Sequence, residues 1–309
     1  MDLRNNMKIY GRVYRRVAVL LILTVFFLCS CGGFKSDENT GQTGSSSDGY
    51  TEQTPLFHIK MLKIGKADTA LLYIEGETEA VVIDTGEDND GPEIVEKLEE
   101  LGITKVSHLI ITHYDKDHIG GAAYVLEHIP VEQVIQPDYP KTGDRFETYK
   151  EAVNSYVSDV CTVSEDMSFS EGELSFSVYP GNDPENQYFE AGEDNDRSLV
   201  IKVSYQEKKF LFTGDIEEKR IGLLLTSGMD LSCDWIKIPH HGRFNSQTEN
   251  LLKAAGAKNG VICCSKKNPA DEETLDAVRE AGMTCWITAD GDITFTCDGK
   301  SIYGEQEAK

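Results

Sequence analysis

Two imidazoles and two carboxylates crowd between positions 113 and 118 of this chain. His113, Asp115, Asp117 and His118 stand in the run Thr112-His113-Tyr114-Asp115-Lys116-Asp117-His118-Ile119-Gly120-Gly121. Nitrogen and carboxylate donors at that density suit a hard or borderline divalent cation. A solvated polar loop has no need of His at both ends of alternating Asp residues. Gly120 and Gly121 are expected to let the backbone turn tightly where the ligands converge. A second pair, His240-His241, follows Ile236-Lys237-Ile238-Pro239 and precedes Gly242. Alone such a pair is weak evidence; its force comes from sharing a chain with the first motif. Two acids complete the set: Asp84 in Val82-Ile83-Asp84-Thr85-Gly86, and Asp215 in Phe210-Leu211-Phe212-Thr213-Gly214-Asp215. The chemistry this points to is hydrolysis, because a divalent metal pulls the pKa of a bound water from ~15.7 toward ~7.

Each motif follows an apolar run that reads as a strand: 80–83, 108–111, 209–212 and 235–238. Strands fix ligands, and the loops after them leave a coordination position open for water. Further strands are expected at 57–62, 69–74, 132–135, 174–178, 199–205 and 261–264. Helical spacing covers 92–101, 120–128, 217–225 and 272–281, and the chain is expected to close on a hairpin over 284–297 turning at Asp290-Gly291. A meander of strands followed by strands alternating with helices implies two sheets with helices on their outer faces, in one α+β domain over 56–309.

The chain carries 53 acidic and 30 basic residues, a net charge of −23. The first thirty residues hold Arg4, Lys8, Arg12, Arg15 and Arg16 against Asp2, so the remainder is more acidic still. Such a body lacks the basic footprint of a protein that grips long nucleic acid, and no stable nucleic-acid complex is expected. Basic residues followed by the apolar run 17–28 read as an export signal, since that run is short for a membrane span. The run ends in Leu28-Cys29-Ser30-Cys31, which resembles the lipobox of bacterial lipoproteins. The expected organisation is a signal peptide over 1–30, a lipidated Cys31 with a polar tether to residue 55, and the hydrolase domain beyond it. Anchorage to the outer face of the cytoplasmic membrane follows. Of the six cysteines past Cys31, Cys285 and Cys297 flank the expected hairpin turn; either they pair or all six are free thiols.

In order, I-D-T-G, T-H-x-D-x-D-H-x-G-G, T-G-D and H-H-G resemble the metallo-β-lactamase superfamily. The likeness runs over about 56–300 and is greatest to the hydrolase domain of ComEC-type competence proteins and their free-standing relatives. Asn195-Asp196-Arg197-Ser198-Leu199-Val200 is similar to that branch's N-x-x-S-L-V strand. The resemblance implies a four-layer αββα sandwich with one or two divalent ions, Zn²⁺ or Mn²⁺, at one edge. It implies Asp117 and His118 as ligands of one ion, joined by His240 or His241, with His240 favoured as nearer the strand. It implies Asp215 as a carboxylate bridging two ions, and His113 with Asp115 as half of the other site. There the third ligand is usually His, and this chain offers Asn195 and Asp196. Asp84, Asn195, Asp196 and Ser198 are expected to support ligands or substrate, and Asp117, Asp215 and His241 to take part in chemistry. Where the family has Ser after H-H-G, this chain has Arg243, a candidate for binding an anionic group; Lys237, Lys266 and Lys267 are further candidates. Asp68, from a family V-G-Q-G-D that reads Ile64-Gly65-Lys66-Ala67-Asp68 here, is taken as structural.

The resemblance implies a phosphodiesterase or nuclease-like hydrolase acting on a small anionic substrate or DNA. One fold hosts many chemistries, so hydrolysis of a lactone, thioester or β-lactam is an alternative. A binding lipoprotein without turnover is another.

Overall fold

A computed structural model describes residues 54–181 and 194–307. The expected export signal, Cys31 and most of the expected tether lie outside them. Six strands build the first sheet in sequence: β1 (Phe57–Met61), β2 (Ala70–Ile74), β3 (Glu79–Ile83), β4 (Lys105–Ile110), β5 (Val131–Pro137) and β6 (Asp159–Val163). The second sheet takes β7 (Met167–Glu171), β8 (Leu174–Tyr179), β9 (Val200–Tyr205), β10 (Lys208–Phe212), β11 (Trp235–Lys237), β12 (Asn259–Ile262) and β13 (Thr284–Ile287). The chain then returns to the first sheet with β14 (Ile293–Cys297) and β15 (Ile302–Gln306), giving the orders β15-β14-β1-β2-β3-β4-β5-β6 and β13-β12-β11-β10-β9-β8-β7. Helices α1 (Gly91–Glu100), α2 (Lys116–Ile119), α3 (Ala122–His128) and α4 (Asp144–Tyr156) interleave with the first sheet. Helices α5 (Glu218–Ser227), α6 (Thr248–Ala255) and α7 (Glu272–Glu280) interleave with the second.

The central strands are buried on both faces, and their alternation assigns each face a partner. In β3, Val81 and Ile83 join the core between the sheets, while Ala80 and Val82 join a second core with Ile94, Leu98 and Val125 of the helices. In β10, Phe210 and Phe212 face inward against Trp235 and Phe295, while Leu211 packs outward with Ile221, Leu224 and Leu251. The result is the four-layer αββα sandwich that the motifs implied. Strands β3 to β6 run parallel to one another, as do β10 to β13. Parallel strands open their carboxyl ends onto loops at a common edge, and the loops after β3, β4, β10 and β11 carry Asp84, His113 to His118, Asp215 and His240-His241. Among the described residues no helix is long and apolar enough to cross a membrane.

One expectation fails here. The run 284–297 is not a hairpin: β13 pairs in parallel with β12, whereas β14 pairs with β1 in the other sheet. A single turn of 3-10 helix over Thr288–Asp290 carries the chain from one sheet to the other. Cys285 and Cys297 therefore stand in different sheets, one exposed and one buried, and all six cysteines are free. Gly120 and Gly121 make the turn between α2 and α3, as expected, and they also permit a close approach. A Cβ on Gly121 would lie 2.2 Å from the Thr85 carbonyl oxygen, and one on Gly120 2.4 Å from the Asp88 nitrogen. Their role is to let the loop after β4 press against the loop after β3.

Candidate metal centre

Loop contacts bring the acids together before any side chain is considered. Asp68 N–H donates to the Asp117 carbonyl, Gly86 N–H to the Asp68 carbonyl, and Thr85 N–H to the His118 carbonyl. Asp84 sits in the left-handed region at φ 60°. That posture aims its carboxylate across β4: Oδ1 accepts the Thr112 N–H at 2.7 Å, and Oδ2 accepts the Thr112 hydroxyl at 2.7 Å and His118 Nδ1 at 2.8 Å. Burial pushes the Asp84 carboxyl up, with His118 opposing. At the turn after β11, His240 and His241 are both left-handed, at φ 47° and 52°, and Gly242 follows at 77°. Each non-glycine residue so held costs about 1–3 kcal/mol, so the surroundings must impose it.

Asp68, His118, Asp215 and His241 each bring a ligand atom within 4.8 Å of the others, all buried. The ring orientations divide this group. His118 Nδ1 donates to Asp84, and His241 Nδ1 donates to the Cys263 carbonyl at 3.0 Å, an acceptor that cannot donate in return. Both rings are thereby fixed as Nδ1–H tautomers with Nε2 as the free lone pair, the form a metal ligand needs. Asp215 Oδ2 lies 3.3 Å from His118 Nε2 and 2.9 Å from His241 Nε2, and Asp117 Oδ2 lies 3.3 Å from His241 Nε2. None of these nitrogens is aligned for a hydrogen bond, and His113, His118 and His241 each leave a buried Nε2 without a hydrogen-bond partner. Three orphaned imidazole nitrogens beside carboxylates are a donor set that a divalent cation would satisfy. Asp68 approaches the Nδ1 side of His241 at 3.5 Å and of His118 at 4.0 Å. It thus stands behind the rings. Asp215 reaches both Nε2 atoms and Asp117 reaches that of His241, so Asp117, His118, Asp215 and His241 offer the donor set that would fit one divalent ion.

Electrostatics agree. Burial pulls His241 down, yet Asp215, Asp117 and Asp68 outweigh it and lift the ring to about 10. His118 is also raised well above its usual value against its burial, by Asp215, Asp84 and Asp68. Burial opposes ionisation of Asp215 and Asp68, but Lys237 and the histidines hold both well below the carboxylate range. The pit is built to attract positive charge. His113 goes the other way, down to about 3, because burial and the neighbouring His118 disfavour its proton; its ring lies 4.0 Å from that of His118.

Several sequence expectations change. His240 was favoured over its neighbour as a ligand, but it turns away: one quarter exposed, its Nδ1 is 2.9 Å from Glu217 Oε1. His241 is the imidazole inside. Asp115 lies on the outer side, its Oδ1 3.0 Å from Lys141 Nζ and its Oδ2 3.8 Å from His113 Nε2. Asn195 donates to Glu217 Oε1 at 3.0 Å. Asp196 accepts the N–H groups of Glu217 and Arg220 at the start of α5, so it caps that helix. Ser198 Oγ accepts the Asp215 N–H at 3.2 Å and so steadies a ligand loop. Arg243 is tied to Asp271 at 2.6 Å. Lys237, read as an anion binder, is buried; it bonds Asp68 and lies 2.9 Å from Asp215 Oδ1. A lysine inside a strand otherwise made of Trp and Ile was the signal for that role, since a buried ammonium demands carboxylates.

The family model described as the metallo-beta-lactamase superfamily matches residues 69–266. Recombination protein 2 of Haemophilus influenzae is 28% identical over 221 residues, which are 70% of this chain and 25% of that protein. ComE operon protein 3 of Bacillus subtilis is 24% identical over 226 residues, 68% of this chain and 28% of that protein. The chain thus spans about a quarter of the length of these curated relatives. Among solved structures, Tm1679, a metal-dependent hydrolase of the beta-lactamase superfamily, matches with a TM-score of 0.52 at 13% identity, over 81% of this chain and all of that one. That likeness establishes the fold alone.

Proposed function

This chain belongs to the metallo-beta-lactamase superfamily, and on that premise we propose that it hydrolyses phosphodiesters outside the cytoplasmic membrane, to which Cys31 anchors it. The observation that carries the substrate class is an open cleft of about 450 Å³ beside Asp117. Lys66, Lys116 and Lys267 line it, with Gly65 and Asn268 between them. Lys116 is engaged by Glu87 and Lys66 by Asp117 Oδ2 at 3.1 Å. Lys267, exposed at the rim, adds a third ammonium to a protein that is otherwise strongly acidic. Glu87, Asp90 and Asp117 line the same cleft, so its charges balance, and ammonium groups that stand beside a cation centre without a wider basic surface suit one phosphate group rather than a long polyanion.

Asp117, His118, Asp215 and His241 would hold the ion; Asp84 and the Cys263 carbonyl keep the two rings in the binding tautomer. Bound there, the ion supplies a nucleophile at neutral pH by acidifying a water. Lys66 and Lys267 would draw the phosphate toward Asp117. His240, on the open side with Glu217 behind its Nδ1, is the imidazole placed to deliver a proton to the departing oxygen.

The test uses the full chain and bis(p-nitrophenyl) phosphate. Nitrophenolate release that a chelator abolishes and Mn²⁺ or Zn²⁺ restores is the expected result. Opening of a lactone or a cephalosporin with no diester cleavage overturns the substrate class and leaves the centre intact. No turnover of any of these by a metal-loaded chain favours the binding lipoprotein. For location, palmitate should label the full chain, and Cys31→Ala should abolish that labelling.

A further inference from the structure

We propose that this centre takes a single divalent ion, and that the ammonium of Lys141 is the resident second positive charge on its outer half. The proposal rests on the metal-dependent reading above and concerns how many ions that reading requires.

Outside the four inner groups, the start of a second cation site is visible. His113 is fully buried and its Nε2 has no hydrogen-bond partner. Asp115 Oδ2 stands 3.8 Å from that nitrogen. A lone pair and a carboxylate so close would ordinarily begin a metal site. Here one oxygen of the carboxylate is already taken, and the other has a single imidazole at 3.8 Å, where Asp215 Oδ2 has two within 3.3 Å. Lys141, from the loop between β5 and α4, places Nζ 3.0 Å from Asp115 Oδ1 and also bonds the Asp194 carboxylate. Side-chain exposure is 24% for Lys141 and 16% for Asp194, so water shields the contact only in part. The next residues along the chain do not help a metal either. Asn195 has its amide on Glu217, and Asp196 caps α5.

The centre repeats one device. Lys237 serves Asp68 and Asp215, Lys66 serves Asp117, and Lys141 serves Asp115 and Asp194. Lys66 shares Oδ2 of Asp117 with His241, but Lys237 holds Oδ1 of Asp215 and leaves its Oδ2 facing two orphaned imidazole nitrogens, His241 Nε2 at 2.9 Å and His118 Nε2 at 3.3 Å, so a cation is still called for. On the outer half, the ammonium stands on the acid that a metal at His113 would need. A divalent ion there must displace Lys141 or sit against its charge. An ammonium also needs no coordination geometry to neutralise an anion, so Lys141 supplies charge without a metal's demand for fixed ligands.

Chelated full-length protein, reloaded with Mn²⁺ and desalted, tests this by elemental analysis and calorimetric titration. Wild type should hold one ion per chain and give the hyperfine spectrum of isolated Mn²⁺. Lys141→Ala and Lys141→Met should each acquire a second ion, about tenfold tighter than any second event in wild type. Asp115→Ala should keep the single ion. Two ions in wild type, or a spin-coupled Mn²⁺ pair, overturn the proposal and leave the metal reading standing. Loss of the ion in Asp115→Ala overturns it too, as does a count of one in both folded Lys141 variants. Should those variants unfold by circular dichroism, the wild-type count and Asp115→Ala decide. A wild type that binds no ion overturns the metal reading itself.

Discussion

His113-x-Asp115 and Asp117-His118 look like equals along the chain, yet the folded protein treats them differently. The Asp117-His118 half is buried and closed by residues from the other sheet, Asp215 after β10 and His241 after β11. Its rings are locked from behind by Asp84 and by the Cys263 carbonyl. In the other half, Asp115 is 37% exposed along its side chain and its partner is an ammonium. Ligand type is thus a local property of sequence, and ligand competence is not. Competence depends on what distant segments put against the same atom, further imidazole and carboxylate donors in one half and a lysine in the other.

Substitutions that remove one charge from each half sharpen the contrast. The largest expected effect is on folding. Lys237→Met strips the buried ammonium from Asp68 and Asp215, and breaking such a pair costs about 3–5 kcal/mol. Lys141→Met, on a partly exposed pair, should cost at most ~1 kcal/mol. Urea titration of the chelated proteins measures both, and equal costs would erase the distinction. Next comes the histidine pair. His241→Ala should empty the centre and lower diester hydrolysis by ~10²-fold or more, the usual effect of losing one preorganised charge-stabilising group. His240→Ala should keep the ion and lose less activity. Metal content is the deciding readout, and an empty His240→Ala protein would put the ligand back at the exposed histidine. Asp196→Ala should cost about 1 kcal/mol through the exposed start of α5 without changing the ion count; a lost ion would make Asp196 part of the centre. Smallest is Arg243→Ala, whose half-solvated pair with Asp271 is worth ~0.2–1 kcal/mol. A several-fold rise in KM for the diester, with stability unchanged, would return Arg243 to the substrate.

The sandwich and the edge that bears the site were legible because both follow from local pattern. Alternating apolar runs ending in Asp or His predict strands that open onto ligands. Much of the rest depended on pairings that local pattern does not encode. A Gly-containing turn between two apolar runs looks the same whether the second run pairs with the first or crosses to another sheet, as β14 does. Neighbouring His240 and His241 differ only in backbone posture, and the left-handed turn that buries the second is imposed by what packs around it. Asp68 gave no sign of standing behind two histidines, because the loop that presents it is far in sequence from both. Some signals were simply missed. Phe146, Tyr149, Ala152 and Val153 have helical spacing and mark α4. Ser-rich β7, half exposed at the end of its sheet, carries little apolar signal.

The ligands arrive two from each sheet, after β4 on one side and after β10 and β11 on the other. An ion held by all four is therefore a cross-link as well as a reagent. It closes a chain loop of roughly 120 residues, and in the chain-entropy account a permanent link across ~100 residues removes ~4–5 kcal/mol of unfolded-state freedom. This link is reversible and its strength follows mass action, so stability rises with the free metal concentration. The seam between the two sheets is then tightest where metal is plentiful. In a metal-poor medium the same chain opens more readily to proteases, and its lifetime becomes a record of the ions around it.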